Sequence, residues 1–126
     1  VDAGLIDTVP TNAVWKVLSI RGDLATSADA GSRYARFQYR NATDVVVAES
    51  GARSVQTASE TREYAGSLGT PNIHEADALV TQGFALPDMT LPEGYDVFIL
   101  TTNFDAVAAG DNWTAIRMEV EEWLVV

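Results

Sequence analysis

The residues best suited to acid–base chemistry are a single histidine and a group of glutamates near the C-terminus. His74 lies between Ile73 and Glu75 in the longest loop candidate and has no second ligand at metal-binding spacing. A catalytic triad through His74 would need a serine and an aspartate brought to it by the fold, which sequence spacing does not indicate. We therefore predict an exposed loop histidine, no catalytic residue and a chain that is not an enzyme.

The glutamates 119, 121 and 122 could form a hydrolase carboxylate pair only if two of them faced each other across a cleft. Alternation along the last predicted strand instead places Glu119 and Glu121 together on its outward face. Trp123 falls on that same side. Because tryptophan is enriched in protein–protein contacts, Trp123, Glu119 and Glu121 are predicted to form a contact surface.

Asp and Asn side chains also lie around two predicted loops, and their oxygen atoms are the kind of ligand that binds calcium. The residues concerned are Asp23, Asp29, Asn103, Asp105, Asp111 and Asn112. Their spacing matches no calcium-loop pattern, and Asp and Asn are favoured in turns for other reasons. We predict no metal and no cofactor, with loop calcium left as an open alternative.

Composition narrows the function classes. The chain has no cysteine, which excludes disulfide frameworks, thiolate zinc sites and thiol nucleophiles. Eighteen acidic residues against eight Lys and Arg give a net charge of −10. Such a charge disfavours nucleic acids and anionic membranes as partners, so the remaining partner classes are proteins and glycans.

Short apolar runs of period two, separated by Gly, Pro, Asp and Asn, predict an all-β chain without a convincing helix. The strand that begins at Ala13 is predicted to end at Arg21-Gly22-Asp23. The run 45–49 is predicted to be a buried strand because it is rich in β-branched residues. The polar run 54–64 is predicted to be an outer or edge strand. The predicted strands are 13–20, 33–40, 45–49, 54–64, 78–86, 95–102 and 113–125. Seven to eight strands of this spacing predict a jelly-roll-like antiparallel β-sandwich.

The chain shows no internal repeat and no dividing linker. Residues 13–126 are predicted to form one sandwich domain, preceded by an extended N-terminal arm over 1–12. Such an arm could add a strand to a neighbouring molecule, with Val1, Leu5 and Ile6 as its contact residues.

The order of several segments resembles small β-sandwich structural proteins of tailed bacteriophages. The segments are Ala13-Val14-Trp15-Lys16-Val17-Leu18-Ser19-Ile20, the loop from Leu24 to Arg33, Leu91-Pro92-Glu93-Gly94-Tyr95, and Ala109-Gly110-Asp111-Asn112-Trp113-Thr114. The likeness spans about residues 10 to 122 and is one of strand-and-turn layout.

The resemblance implies a component of the virion, specifically a capsid decoration (cement) protein on the capsid exterior. It would bind the major capsid protein or another virion protein. We expect a homo-oligomer, with a trimer as the working guess. Tail and head-fibre roles stay open, and the alternatives from other classes are a carbohydrate-binding sandwich and a small hydrolase.

Overall fold

A computed structural model describes residues 4–52, 55–69, 82–103 and 110–125, which form two β-sheets and contain no helix. The nine strands, in chain order, are β1 (Gly4–Thr8), β2 (Ala13–Ala25), β3 (Arg33–Arg40), β4 (Val46–Gly51), β5 (Thr61–Ser67), β6 (Gln82–Ala85), β7 (Thr90–Leu91), β8 (Asp96–Asn103) and β9 (Asn112–Leu124).

The strands divide into sheet A, with the order β1-β8-β3-β4, and sheet B, in which β6, β5 and β2 are neighbours and β9 and β7 also pair with β2. The predicted all-β sandwich is confirmed. All pairs are antiparallel except β5 with β6, which run parallel, so sheet B is mixed. The jelly-roll connectivity stays a prediction.

The core lies between the sheets and takes aromatic and branched side chains from both. Phe37 of β3 packs on Phe84 of β6 with ring centroids 4.7 Å apart. At Gly22 of β2, an added Cβ would lie 2.9 Å from Ile99 Cδ1 of β8, so the glycine permits close approach of the two sheets there. The most buried apolar side chains also include Ile20, Leu24, Tyr39, Tyr64 and Leu91.

Strand β2 is longer than the strand predicted over 13–20, and the set of residues that faces the core changes part-way along it. Trp15 and Val17 are buried, and then Ile20 is buried instead of Ser19, because a bulge at Leu18 shifts the alternation by one residue. The prediction that Arg21-Gly22-Asp23 ends the strand was wrong. These residues continue β2, and Gly22 is buried in the core.

Two other strand predictions were also wrong. Val45, Val46 and Val47 are exposed by 55%, 44% and 40%; they lie at the start of the edge strand β4, and no described strand covers them. β5 starts only at Thr61 and is an interior strand between β2 and β6. The polar residues before it form a turn that includes Ser59 at φ 57°.

The segment predicted as an N-terminal arm is paired within its own chain where it is described. β1 runs antiparallel to β8, with Gly4 opposite Ile99 and Thr8 opposite Asp96. Ile6 packs against the core, whereas Leu5 is 53% exposed. Val1 lies outside the described residues. These pairings make residues 4–8 one edge strand of sheet A, with β4 at the other edge.

Candidate contact surface

Strand β9 is a long edge of the sandwich. It pairs with β2 over thirteen residues, from Ala13 opposite Leu124 to Ala25 opposite Asn112. The other side of β2 is occupied by β5 and β7. Among the described residues β9 therefore has one unpaired side, which exposes a row of backbone N–H and C=O groups.

Cross-strand pairing fixes which side chains of β9 face the core. Met118 lies opposite buried Ile20 and Val120 opposite buried Val17, and both pack on the core. The alternating residues Glu119, Glu121 and Trp123 lie on the outer face, away from sheet A. The predicted grouping of Trp123 with Glu119 and Glu121 is therefore the arrangement in the fold.

Trp123 is the largest exposed apolar side chain on this strand. It lies opposite Val14, and 44% of its surface is accessible. Leu124 and Val125, which follow it, are 73% and 56% exposed. The exposure of these two residues could not be predicted locally, because a terminal strand that alternates normally gives no sign that the facing sheet stops short of it.

Carboxylates surround this apolar end but do not face each other across a cleft. Glu121 lies opposite Lys16 and Glu119 opposite Ser19. Glu122 is on the inner face, where its Oε1 accepts a hydrogen bond from Trp15 Nε1 at 2.8 Å. We define the edge patch as Glu119, Glu121 and Trp123, a surface of the outer face with one exposed aromatic ring and two negative charges, whereas Leu124, opposite buried Ala13, is on the inner face.

The same end of the sandwich has a second exposed apolar corner. Thr8 at the end of β1 and Arg40 at the end of β3 both lie opposite Asp96, on the two sides of β8, so β1 and β3 finish at the same end of the sandwich. Strand β9 finishes at this end as well, since Val125 N donates to Asn12 O at 2.8 Å in the turn between β1 and β2. Val45–Val47 thus lie at this end too, but on the opposite edge of the molecule.

The candidate calcium ligands that the structure describes have other partners or lie within a strand. Both carboxylate oxygens of Asp111 accept from Arg33, Oδ2 from Nε at 2.8 Å and Oδ1 from Nη2 at 3.0 Å. Asp29 accepts from Ser27, and Asp23 lies within β2. The described residues contain no group of three or more Asp, Glu, His or Cys that could hold a metal ion. Asp105 and the side chain of Asn103 lie outside what is described, as does His74.

The Arg33–Asp111 pair is instead the most buried ionic contact of the described residues. The side chain of Arg33 is inaccessible and that of Asp111 is 10% exposed. Burial of the Asp111 carboxyl would raise its pKa, but hydrogen bonds from Arg33 and Ser27 outweigh this effect and the pKa is lowered from its ordinary value. The pair joins the start of β3 to the residue before β9.

A small cleft lies beside this pair, between the two sheets. Its lining includes Thr101, Asp111, Asn112, Trp113 and Ile116, and its volume is about 210 Å³. The Nε1 of Trp113 is buried and has no hydrogen-bond partner within the described segments. A buried indole N–H without a partner is unusual, because most buried polar groups are hydrogen-bonded.

Comparison of the chain with protein-family models, curated proteins and solved structures finds no match. The contact surface and the cleft therefore rest on their own geometry. No helix in the described ranges is long and apolar enough to cross a membrane.

Proposed function

We propose that this chain is a non-enzymatic structural component of a bacteriophage virion, a capsid decoration protein that binds the major capsid protein lattice from outside. The observation that carries the contact surface is Trp123, a large aromatic side chain exposed on the face of β9 that also carries Glu119 and Glu121. The assignment to a virion comes from the strand-and-turn resemblance described above.

The edge patch has the composition of a protein contact. Tryptophan is the residue type most often found as a binding hot spot, because it buries a large area with little loss of side-chain entropy. Glu119 and Glu121 add negative charge beside it, so the complementary surface would carry Lys or Arg next to an apolar pocket. Many copies on a repeating lattice would gain by avidity, so one patch can be small.

The direct test is to add the purified chain to capsids that lack it and to measure co-sedimentation and the temperature at which the capsids release their contents. We expect binding and a higher release temperature. In Trp123→Ala the capsid affinity should fall at least tenfold, as expected for a hot-spot residue. Val46→Ala is the matched control, because both side chains are 44% exposed and the valine lies at the other corner.

Two outcomes would contradict the proposal. One is capsids that are equally stable with and without the chain. The other is an equal loss of binding in Trp123→Ala and Val46→Ala, which would remove the role of the edge patch. Urea unfolding of both variants checks that the fold is intact.

The Trp113 cleft supports a second candidate, a carbohydrate-binding module. Trp113 lines the cleft with an aromatic side chain whose N–H is buried without a partner among the described residues, and Asp111 and Asn112 line the same cleft. A glycan array tests this candidate, with Trp113→Phe as the variant that removes the N–H while keeping an aromatic ring. A thermal melt with and without EDTA tests loop calcium.

A further inference from the structure

Arg117 of β9 has an unfavourable neighbour within its own chain. It lies opposite Arg21 on the outer face of sheet B, and Glu63 forms an ion pair with Arg21 at 2.8 Å. Like charges directly opposite in a sheet are destabilising. No ion pair to Arg117 occurs among the described residues. Arg117 is thus an exposed cation at an open strand edge.

Glu119 is the complementary group on the same edge. It lies two residues further along β9 on the same outer face, opposite Ser19, which carries no charge. Arg117 and Glu119 line a shallow depression with Ser19, Arg21 and Met118. The edge therefore presents one positive and one negative side chain on either side of Met118, an arrangement that matches itself after a half-turn.

We propose that a second copy of this chain pairs with β9 in antiparallel fashion, about a two-fold axis at Met118. Arg117 then lies opposite Glu119 of the second copy, and the pair occurs twice by symmetry. On the inner face, Ile116 lies opposite Val120 of the second copy. The sheet continues across the axis, and the exposed backbone groups of the edge become hydrogen-bonded.

Neighbouring registers are less favourable because of the same charges. Moving the axis to Glu119 sets Arg117 against Glu121 twice but adds a repulsive contact, the Glu119 carboxylate against its own copy. Moving it to Val120 sets Glu119 against Glu121 twice. A bulge at Ala115, which has φ 53°, interrupts the regular strand on the N-terminal side. The alternation of charge on β9 thus selects the register centred on Met118.

The net charge of −10 on each copy opposes association at long range. At 0.15 M ionic strength the Debye length is about 8 Å, so charges beyond the interface are largely screened while contact pairs are retained. The experiments below are therefore set at this ionic strength.

The pairing would make the edge patch bivalent, a consequence that rests on the proposed function. Trp123 is five residues from the axis, or about 17 Å at the rise of a strand. The two copies of Trp123 would lie on the same face of one continuous sheet, about 34 Å apart by the same rise. Two patches on a rigid spacer can engage a repeating lattice together.

The test measures the mass of the full chain by light scattering during size-exclusion chromatography, across a concentration series. We expect a species of twice 13.6 kDa. Arg117→Glu and Glu119→Arg should each weaken dimerisation by about tenfold or more, because each variant replaces two attractive pairs with two repulsive ones.

Charge exchange provides the decisive control. The double variant R117E/E119R restores both pairs and should dimerise again. An equimolar mixture of the two single variants should form a heterodimer, because each supplies the charges that the other needs. Glu121→Arg is the matched control and should leave the dimer unchanged, since position 121 faces Ala115 in this register.

Several results would overturn the inference. They are a monomer at every concentration, a trimer mass, single variants that dimerise like the parent, or a double variant that stays monomeric. A parent that is monomeric at every concentration is the result expected if β9 instead receives a basic strand of another protein. Capsid binding through Trp123 by a monomer would refute the pairing alone, whereas a dimer that binds no capsid would refute only the decoration role.

Discussion

Replacing Asp111 by asparagine should be among the most destabilising single changes at a polar site of this protein. The substitution keeps the size and one acceptor oxygen but removes the charge that compensates Arg33. The guanidinium is inaccessible and also donates to Gly31 O at 3.0 Å and to Ser27 Oγ at 3.1 Å, so it has no route to solvent.

The expected magnitude follows from the burial of the pair. Removing one partner of a buried ion pair costs about 3–5 kcal/mol, because the other charge is left without compensation. Asparagine retains one hydrogen bond from Arg33, so we expect the low end, about 3 kcal/mol. With an m-value of about 1.5 kcal/mol/M, the urea midpoint would fall by about 2 M.

The assay is equilibrium urea unfolding followed by tryptophan fluorescence. A double variant, R33M/D111L, is the informative control, because replacing both partners with apolar residues is often nearly neutral. It should recover at least half of the stability lost in Asp111→Asn. A loss below about 1 kcal/mol in Asp111→Asn, or a double variant less stable than the single one, would refute the reasoning.

The same pair predicts a pH dependence of defined sign. The pKa of Asp111 is lower in the folded protein than its ordinary value. Its ionised form therefore stabilises the fold fully above about pH 4, the range of an unperturbed carboxyl, and this contribution is lost as pH falls through the lowered pKa. The stability difference between the parent and Asp111→Asn should be constant from pH 5 to 8 and shrink below about pH 4. A difference that is unchanged at pH 3 would contradict this assignment.

The remaining predictions concern the core. Tyr64→Phe should cost about 1–3 kcal/mol, because its hydroxyl donates to the buried Gln56 Oε1 at 2.9 Å and Gln56 would lose that partner. Tyr39→Phe is its matched control and should be neutral or slightly stabilising, because the Tyr39 hydroxyl is buried with no partner among the described residues. Equal losses in the two variants, measured by urea unfolding, would contradict the assigned hydrogen bond. Gly66→Ala should cost about 1–3 kcal/mol by overpacking, because an added Cβ would lie 2.7 Å from Leu86 Cδ2. A thermal melt equal to that of the parent would show that Leu86 can move aside.

Local patterns predicted some elements closely. The predicted strand 33–40 has the same bounds as β3. Trp123 was placed on the outer face with Glu119 and Glu121 because the last strand alternates without interruption over that stretch. In each case, successive side chains of a regular strand point to opposite faces, a property of the backbone alone.

The predictions that failed involve contacts with distant parts of the chain. The β-branched residues 45–47 favour a strand but carry no information on whether another sheet covers it. The bulge at Leu18 and the continuation of β2 through Gly22 follow from pairing with β5 and β9, which local alternation does not describe. Neither could be read from the residues of β2 themselves.

The sequence by itself determined the class of fold, the acidic surface, the absence of thiol chemistry and the side of the last strand on which Trp123 lies. Only the tertiary structure decided that β9 is an edge, that Arg117 faces Arg21 across the sheet, and that Asp111 binds Arg33 from 78 positions away. The physical reason is that strand order and buried ion pairs depend on which distant segments meet, whereas composition and alternation are local properties of the chain.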